Sequence, residues 1–175
     1  MRIYLIGFMG VGKTHWGKLL GKKLGIPFFD LDELIENDEG RSIAEMFEEK
    51  GEEYFRMKER EILHMVSESH ESMVLSCGGG APCFFNNIDY MNEKGVTVWI
   101  DTPFEILLGR LRQGKDKRPL LKSLDDEQLK AYIVKKNGDR RIFYERARVR
   151  IDDRDARVDD FIKAIFDQTA DNGEV

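Results

Sequence analysis

Residues 7–14 read Gly-Phe-Met-Gly-Val-Gly-Lys-Thr, a full match to the spacing G-x-x-x-x-G-K-[ST]. Each fixed position has a physical task. Gly7 and Gly12 let the backbone curl so that successive N–H groups point inward at an anion, with Gly10 and Val11 completing the loop. Lys13 reaches the β- and γ-phosphates of a nucleotide, the Thr14 hydroxyl is suited to Mg²⁺, and His15 comes directly after. Context decides whether so short a pattern has meaning. Arg2 to Ile6 is a β-branched and aromatic run of the kind that forms a buried strand. After Thr14, Trp16, Leu19, Leu20 and Leu24 keep helical spacing until Gly25 and Pro27 stop it. Strand, glycine loop and helix in that order favour a nucleoside triphosphate site over a mere flexible turn between core elements.

The chain has 175 residues, with 41% apolar and 35% charged content, and one ordinary domain over 1–175 accommodates it. Its net charge of −5 and lack of a long basic stretch argue against a duplex nucleic-acid partner. No segment approaches the roughly 20 apolar residues of a membrane span, and the N-terminus enters a strand at once without a signal-peptide layout. Cys77 and Cys83 alone make neither a disulfide framework nor a zinc site. These features predict a cytoplasmic protein, and the single small domain points to a monomer.

Strand and helix signals alternate along the chain. Pro27-Phe28-Phe29-Asp30 is a short strand ending in acid, and residues 32–69 are helical in pattern with breaks near Gly40 and Gly51. Met73–Ser76 is a strand that leads into three glycines, Gly78, Gly79 and Gly80; Phe84–Lys94 reads as helix and Val96–Ile100 as strand. Pro103 opens a helix through Leu111, Gln113–Arg118 has the composition of an exposed mobile loop, and a polar helix runs from about Asp125 to Arg146. Val149–Ile151 is the last strand, Val158–Phe166 the last helix, and the tail 167–175 is expected to fray. The pattern predicts an α/β class chain: a three-layer α/β/α P-loop NTPase fold with a central parallel sheet of about five strands. Ligands in such sheets lie at the carboxyl ends of the strands, where residues 7–14, Asp30/Asp32 and residues 78–80 all fall.

Several residues there have the chemistry for phosphoryl transfer. In Asp30-Leu31-Asp32, strand alternation would turn both carboxylates toward one cleft, one for Mg²⁺ and one to accept a hydroxyl proton. Asp32 also has the right position to cap a helix beginning at Glu33. Arg56, Arg140 and Arg141 each offer the planar fork that grips a carboxylate, and each has the alternative of a solvated helical ion pair. The glycine run permits close approach of a ligand to bare backbone. Arg112, Lys115, Lys117 and Arg118 form a basic cluster suited to a lid, over about 112–124, or to a plain surface loop.

Taken together, Gly-Phe-Met-Gly-Val-Gly-Lys-Thr, Phe-Asp-Leu-Asp, Ser-Ile-Ala-Glu-Met-Phe with Gly-Glu-x-x-Phe-Arg-x-x-Glu, Gly-Gly-Gly-Ala and Arg-Pro-Leu-Leu closely resemble the shikimate kinase family, from Ile3 to about Arg157. The resemblance implies Mg²⁺- and ATP-dependent phosphorylation of the shikimate 3-hydroxyl, on the route to aromatic amino acids. It implies that Gly10 to Thr14 cradle the ATP phosphates, that Thr14 binds the metal, and that Asp30 acts through the metal's water shell. Asp32 would hold substrate hydroxyls and serve as base, while Arg56, Arg140 and the Gly79 backbone hold the carboxylate. Arg118 would be the lid residue, Arg112 would flank the adenine, and residues about 32–61 would form a mobile substrate-binding segment. This chain departs from the family pattern in three places. His15 stands where Thr is common, the proline of Arg-x-Pro-Leu-Tyr is missing from Arg140-Arg141-Ile142-Phe143-Tyr144, and the loop near Arg154 has no clear counterpart. Arg141 therefore stays an alternative to Arg140. A kinase of another small hydroxyl compound, such as gluconate or a nucleoside monophosphate, and a non-catalytic ATP-binding module are the competing readings.

Overall fold

Strand alternation sets the layers. In β1 (Arg2–Ile6), Ile3 and Leu5 face one way and Tyr4 and Ile6 the other, and all four are fully buried. A strand buried on both faces belongs inside a parallel sheet, and β1 lies at its centre. The computed structural model describes residues 1–171 and 173. Its sheet has the order β2-β3-β1-β4-β5, all pairs parallel, with β2 at Phe28–Asp30, β3 at Met73–Ser76, β4 at Val96–Ile100 and β5 at Val149–Ile151.

One face of the sheet is covered by α1 (Lys13–Leu24), α5 (Phe104–Gln113), α6 (Asp126–Tyr144) and α7 (Val158–Asp171), through Leu20, Leu108, Ile133 and Phe161. The other is covered by α2 (Leu31–Glu39), α3 (Ile43–Ser69) and α4 (Asn87–Lys94), through Ile35, Leu63 and Met91. The three-layer architecture and the five strands agree with the sequence reading. Among the described residues, no helix is long and apolar enough to cross a membrane.

Within α3 the helix is interrupted at Gly51, whose φ of 81° and ψ of 173° no helix accommodates. A reciprocal capping box between Ser42 and Glu45 starts this helix.

Four expected boundaries shift. Phe85 and Asn86 have φ of 49° and 56°, so α4 starts at Asn87 and not at Phe84, and Ala81–Cys83 form a separate 3₁₀ turn. Pro103 precedes α5, which starts at Phe104 and extends to Gln113. The segment after α5 is turned and anchored: Lys115–Lys117 make a 3₁₀ turn, Lys115 donates to the Leu124 carbonyl at 2.8 Å, and Leu121 is fully buried. The last helix passes Phe166 and reaches Asp171, so the first part of the tail is helical. Residues 172, 174 and 175 of that tail lie outside the described residues.

Space dictates one glycine. Gly95 enters β4 with extended backbone that any residue adopts, yet a Cβ there would stand 2.3 Å from the Arg2 carbonyl oxygen and 2.9 Å from its carbon. Those are backbone atoms of β1 and cannot swing aside. Gly95→Ala is expected to destabilise the fold by about 1–3 kcal/mol. The measurement is urea unfolding, with a lower midpoint at an unchanged slope.

Candidate active site

At the end of β1, Gly10 and Gly12 adopt φ of 83° and 91°, the left-handed turn that lets the loop wrap inward before α1 begins at Lys13. The first-turn N–H groups of α1 point into this loop without a side-chain cap, which leaves them for an anion. The half-buried Lys13 ammonium donates to the carbonyls of Gly7 at 2.7 Å and Phe8 at 3.0 Å. Burial pushes its pKa down to about 8, opposed by the charge of Asp32.

Both aspartates line the cleft, as expected, but Asp32 reaches it from a helix and not by strand alternation. Asp30 caps α2: its Oδ1 accepts from the backbone N–H groups of Asp32 at 3.0 Å and Glu33 at 3.4 Å. Its Oδ2 accepts from the Thr14 hydroxyl at 2.9 Å. Asp32 is not the cap. It sits in the first turn of α2 and lines the cleft from there. Burial pushes the Asp32 carboxyl up to about 6, with the Asp30 charge adding to the rise and Lys13 opposing it. Among the described residues, no group of three or more His, Cys, Asp and Glu could hold a metal unaided. The Thr14–Asp30 pair, two hard oxygens beside a phosphate loop, suits Mg²⁺, which takes one or two protein ligands and fills its shell with water and phosphate.

Opposite the loop, β3 leads into Gly78, Gly79 and Gly80. Arg56, on α3, is buried; its Nη1 donates to Glu59 Oε1 at 2.8 Å and its guanidinium lies over the Phe84 ring at 4.3 Å. A Cβ at Gly80 would fall 2.5 Å from Arg56 Nη2, and one at Gly79 would fall 2.9 Å from Arg140 Nη1. Both guanidinium groups therefore rest on the bare glycine backbone. Arg141 points elsewhere: its Nε donates to Glu145 at 2.7 Å and its guanidinium lies over Trp99 at 5.2 Å.

Two residues beside the cleft escaped the sequence reading. Tyr144, one helical turn after Arg140, is buried and donates its hydroxyl to the Gly79 carbonyl at 2.6 Å. Glu59, three residues after Arg56, is fully buried beside it. Helical spacing of 3 and 4 from the two arginines is the signal that could have found them.

The cleft of about 590 Å³ is lined by the loop residues Gly10 to His15 other than Val11, by Asp30, Asp32, Gly78 and Gly79, and by Lys117, Arg118 and Pro119 from across the opening. Arg118 Nε is buried there without a partner among the described residues. Arg112 is not at this site. It pairs with Asp126 at the start of α6, with Nη2 2.9 Å from Oδ2, and is exposed. Of these two α5 arginines, Arg110 is the one that reaches the loop. Its Nη1 is 3.4 Å from the carbonyls of Gly10 and Val11, and both its Nη atoms are 3.2 Å from Asp153 Oδ2. Asp153 is buried and also accepts from Thr102 at 2.8 Å. Gly12, exposed His15, Trp16, Arg110 and Asp153 line a smaller recess of about 320 Å³ beside the loop.

A family model described as shikimate kinase matches residues 9–170. The chain belongs to the shikimate kinase family. The shikimate kinase of Bacteroides fragilis is 46% identical over 147 residues, covering 84% of this chain and 82% of that protein. Among solved structures, shikimate kinase from Bacteroides thetaiotaomicron superposes with a TM-score of 0.85 at 38% identity, covering 99% of this chain and 97% of that one. Shikimate kinase from Acinetobacter baumannii, solved in complex with shikimate, has a TM-score of 0.80 at 34% identity, covering 98% and 93%. The family resemblance seen in the ordered motifs is thus met along nearly the whole chain, and the missing proline after Arg140 does not disturb the shikimate kinase fold.

Tyr144 offers a direct test of how the glycine run is held. Tyr144→Phe leaves the Gly79 carbonyl without its donor, and the expected loss is about 0.5–1.5 kcal/mol in urea unfolding, with the aromatic packing retained.

Proposed function

We propose that the chain transfers the γ-phosphoryl group of ATP to the 3-hydroxyl of shikimate, giving shikimate 3-phosphate. One observation carries this reading for a member of the family. The glycine loop with Lys13 and the two guanidinium groups resting on Gly79 and Gly80 face each other across a cleft holding Asp32. A small molecule with a carboxylate at one end and a hydroxyl at the other spans that arrangement.

Arg56 and Arg140 grip the carboxylate, and the backbone of Gly78, Gly79 and Gly80 allows it close. The outward ion pair of Arg141 favours Arg140 for this role. Asp32, ionised at neutral pH, orients the hydroxyl and accepts its proton as the oxygen attacks. Lys13 moves from the loop carbonyls to the phosphates, and Arg118 meets them from the lid side. Thr14, and Asp30 through the water shell, would hold Mg²⁺, which would supply charge neutralisation on the phosphates. The purine lies in the recess beside Arg110 and Trp16, and Arg112 flanks it by releasing its exposed ion pair with Asp126, a pair of little cost to break. Residues about 112–124 act as lid and residues about 32–61 as substrate segment.

The primary test is ADP release with Mg²⁺-ATP in the presence of shikimate, gluconate or a nucleoside monophosphate. Release with shikimate alone is expected. Release only with gluconate or a nucleotide would transfer the reading to another hydroxyl acceptor, and silence with all three would leave a non-catalytic ATP-binding module. Gly80→Ala separates the two substrates. Its new Cβ displaces the Arg56 guanidinium, so the KM for shikimate is expected to rise about tenfold or more, equivalent to at least ~1.4 kcal/mol, while the KM for ATP stays put.

A further inference from the structure

Glu59 is a carboxylate sealed beside the cleft, against Gly78. It is fully buried on α3, and although Oε1 accepts from Arg56 Nη1 at 2.8 Å, Oε2 has no hydrogen-bond partner among the described residues. A Cβ built at Gly78 would lie 3.2 Å from Glu59 Oε2 and 3.1 Å from Asp32 Oδ1, so the orphaned oxygen and Asp32 flank the same glycine. The charged and titratable groups around Glu59 come from five places: Glu52 and Arg56 on its own helix, Asp32 from α2, Arg140 from α6, Cys77 after β3 and Cys83 in the 3₁₀ turn. An unpaired carboxylate oxygen in such a position is costly in its charged form and tolerable in its protonated form.

We propose that Glu59 holds the place of the substrate carboxylate on Arg56, and that it takes up a proton from solvent when that carboxylate arrives. The inference rests on the reading that shikimate is gripped through its carboxylate by Arg56 and Arg140. Arg140 brings a second guanidinium to the substrate carboxylate, but the charge of Arg56 is shared between that carboxylate and Glu59. Two carboxylates sharing it in a dry site repel each other, and protonating the one that is already buried relieves the repulsion. Oε2 is the oxygen to receive the proton, because Oε1 keeps its hydrogen bond from Arg56. Burial already pushes the Glu59 carboxyl up to about 7, against the opposing charge of Arg56 and with the charge of Asp32 assisting. A second anion raises it further. Shikimate therefore binds most tightly between about pH 6, below which Asp32 loses its charge, and about pH 7, and more weakly as pH rises from the free toward the bound pKa of Glu59, because each binding event must then find a proton.

Calorimetric titration of shikimate into the full chain at pH 7.5, repeated in buffers of different ionisation enthalpy, counts these protons. Uptake on the order of half a proton or more per shikimate is expected. The Glu59→Gln variant is expected to abolish the uptake and to flatten the dependence of Kd on pH between 7 and 8.5, a readout that a purely structural role would not move. Should that variant fail to fold, infrared difference spectra of the unaltered chain serve instead, with a protonated-carboxyl band expected on shikimate addition. Binding without uptake, equal uptake in Glu59→Gln, or no such band would overturn the proposal and leave the substrate reading standing. Absence of any shikimate binding in protein that still binds ATP would overturn the substrate reading and the proposal together.

Discussion

The parallel pairing of β1 with β3 is the constraint on which the site depends. Leu5 is in register with Ser76, and the ladder continues one residue further, with the Cys77 N–H donating to the Leu5 carbonyl at 3.0 Å. Two strands that end together must release their loops side by side. One loop is the glycine turn that leads into α1, and the other is the run Gly78 to Gly80. A shift of one residue in this pairing would turn Tyr4 and Ile6 out of their face of the core and separate the two loops. Hydrophobic alternation therefore does more than close the core. It sets the distance between the glycine loop of Lys13 and the glycine run on which Arg56 and Arg140 rest.

Most charges in and beside the cleft have partners before any substrate arrives, with Arg118 Nε and Glu59 Oε2 as exceptions among the described residues. Lys13 is held by loop carbonyls, Asp30 by the Thr14 hydroxyl and the N-terminus of α2, Arg56 by Glu59, and Arg110 by Asp153. Most of these partners are internal substitutes for groups that a substrate pair would offer: carbonyl oxygens in place of phosphate, a glutamate in place of a substrate carboxylate. On the proposed reading, binding exchanges the carbonyls on Lys13 for phosphate and adds the substrate carboxylate to Arg56 beside Glu59, which is easier than bringing bare charges together.

Much of this is legible in the residues alone. All five strands lie where β-branched and apolar runs place them, and the glycine loop is readable because Lys and Thr at fixed offsets have few other uses together. The features that escape such a reading do so for physical reasons. Asp30 and Asp32 are both good caps, and only the actual start of α2 at Leu31 decides between them. Arg110 and Arg112 lie two apart on α5, close to opposite sides of a helix, so the one that faces the loop depends on helical phase, which composition does not reveal. Glu59 is one acid in a helix full of them, and its burial comes from how α3 lies against the sheet. The start of α4 is misplaced by its sequence because Phe85 and Asn86 take left-handed backbone that glycine would normally have signalled.

The break at Gly51 bears on how this architecture can vary. Arg56 and Glu59 lie on the far side of it, on the stretch of α3 whose Ile62, Leu63 and Val66 are buried against the sheet. The stretch before it is tied to α2, the Ile43 N–H donating to Glu36 Oε2 at 3.1 Å, and in the proposed reading the two form the substrate segment. The stretches on either side of Gly51 are thus separate pieces of one helix joined at a single glycine. In the proposed reading, a change of length between residues 40 and 51 would alter the substrate segment while Ile62, Leu63 and Val66 keep the Arg56 end of the helix in place.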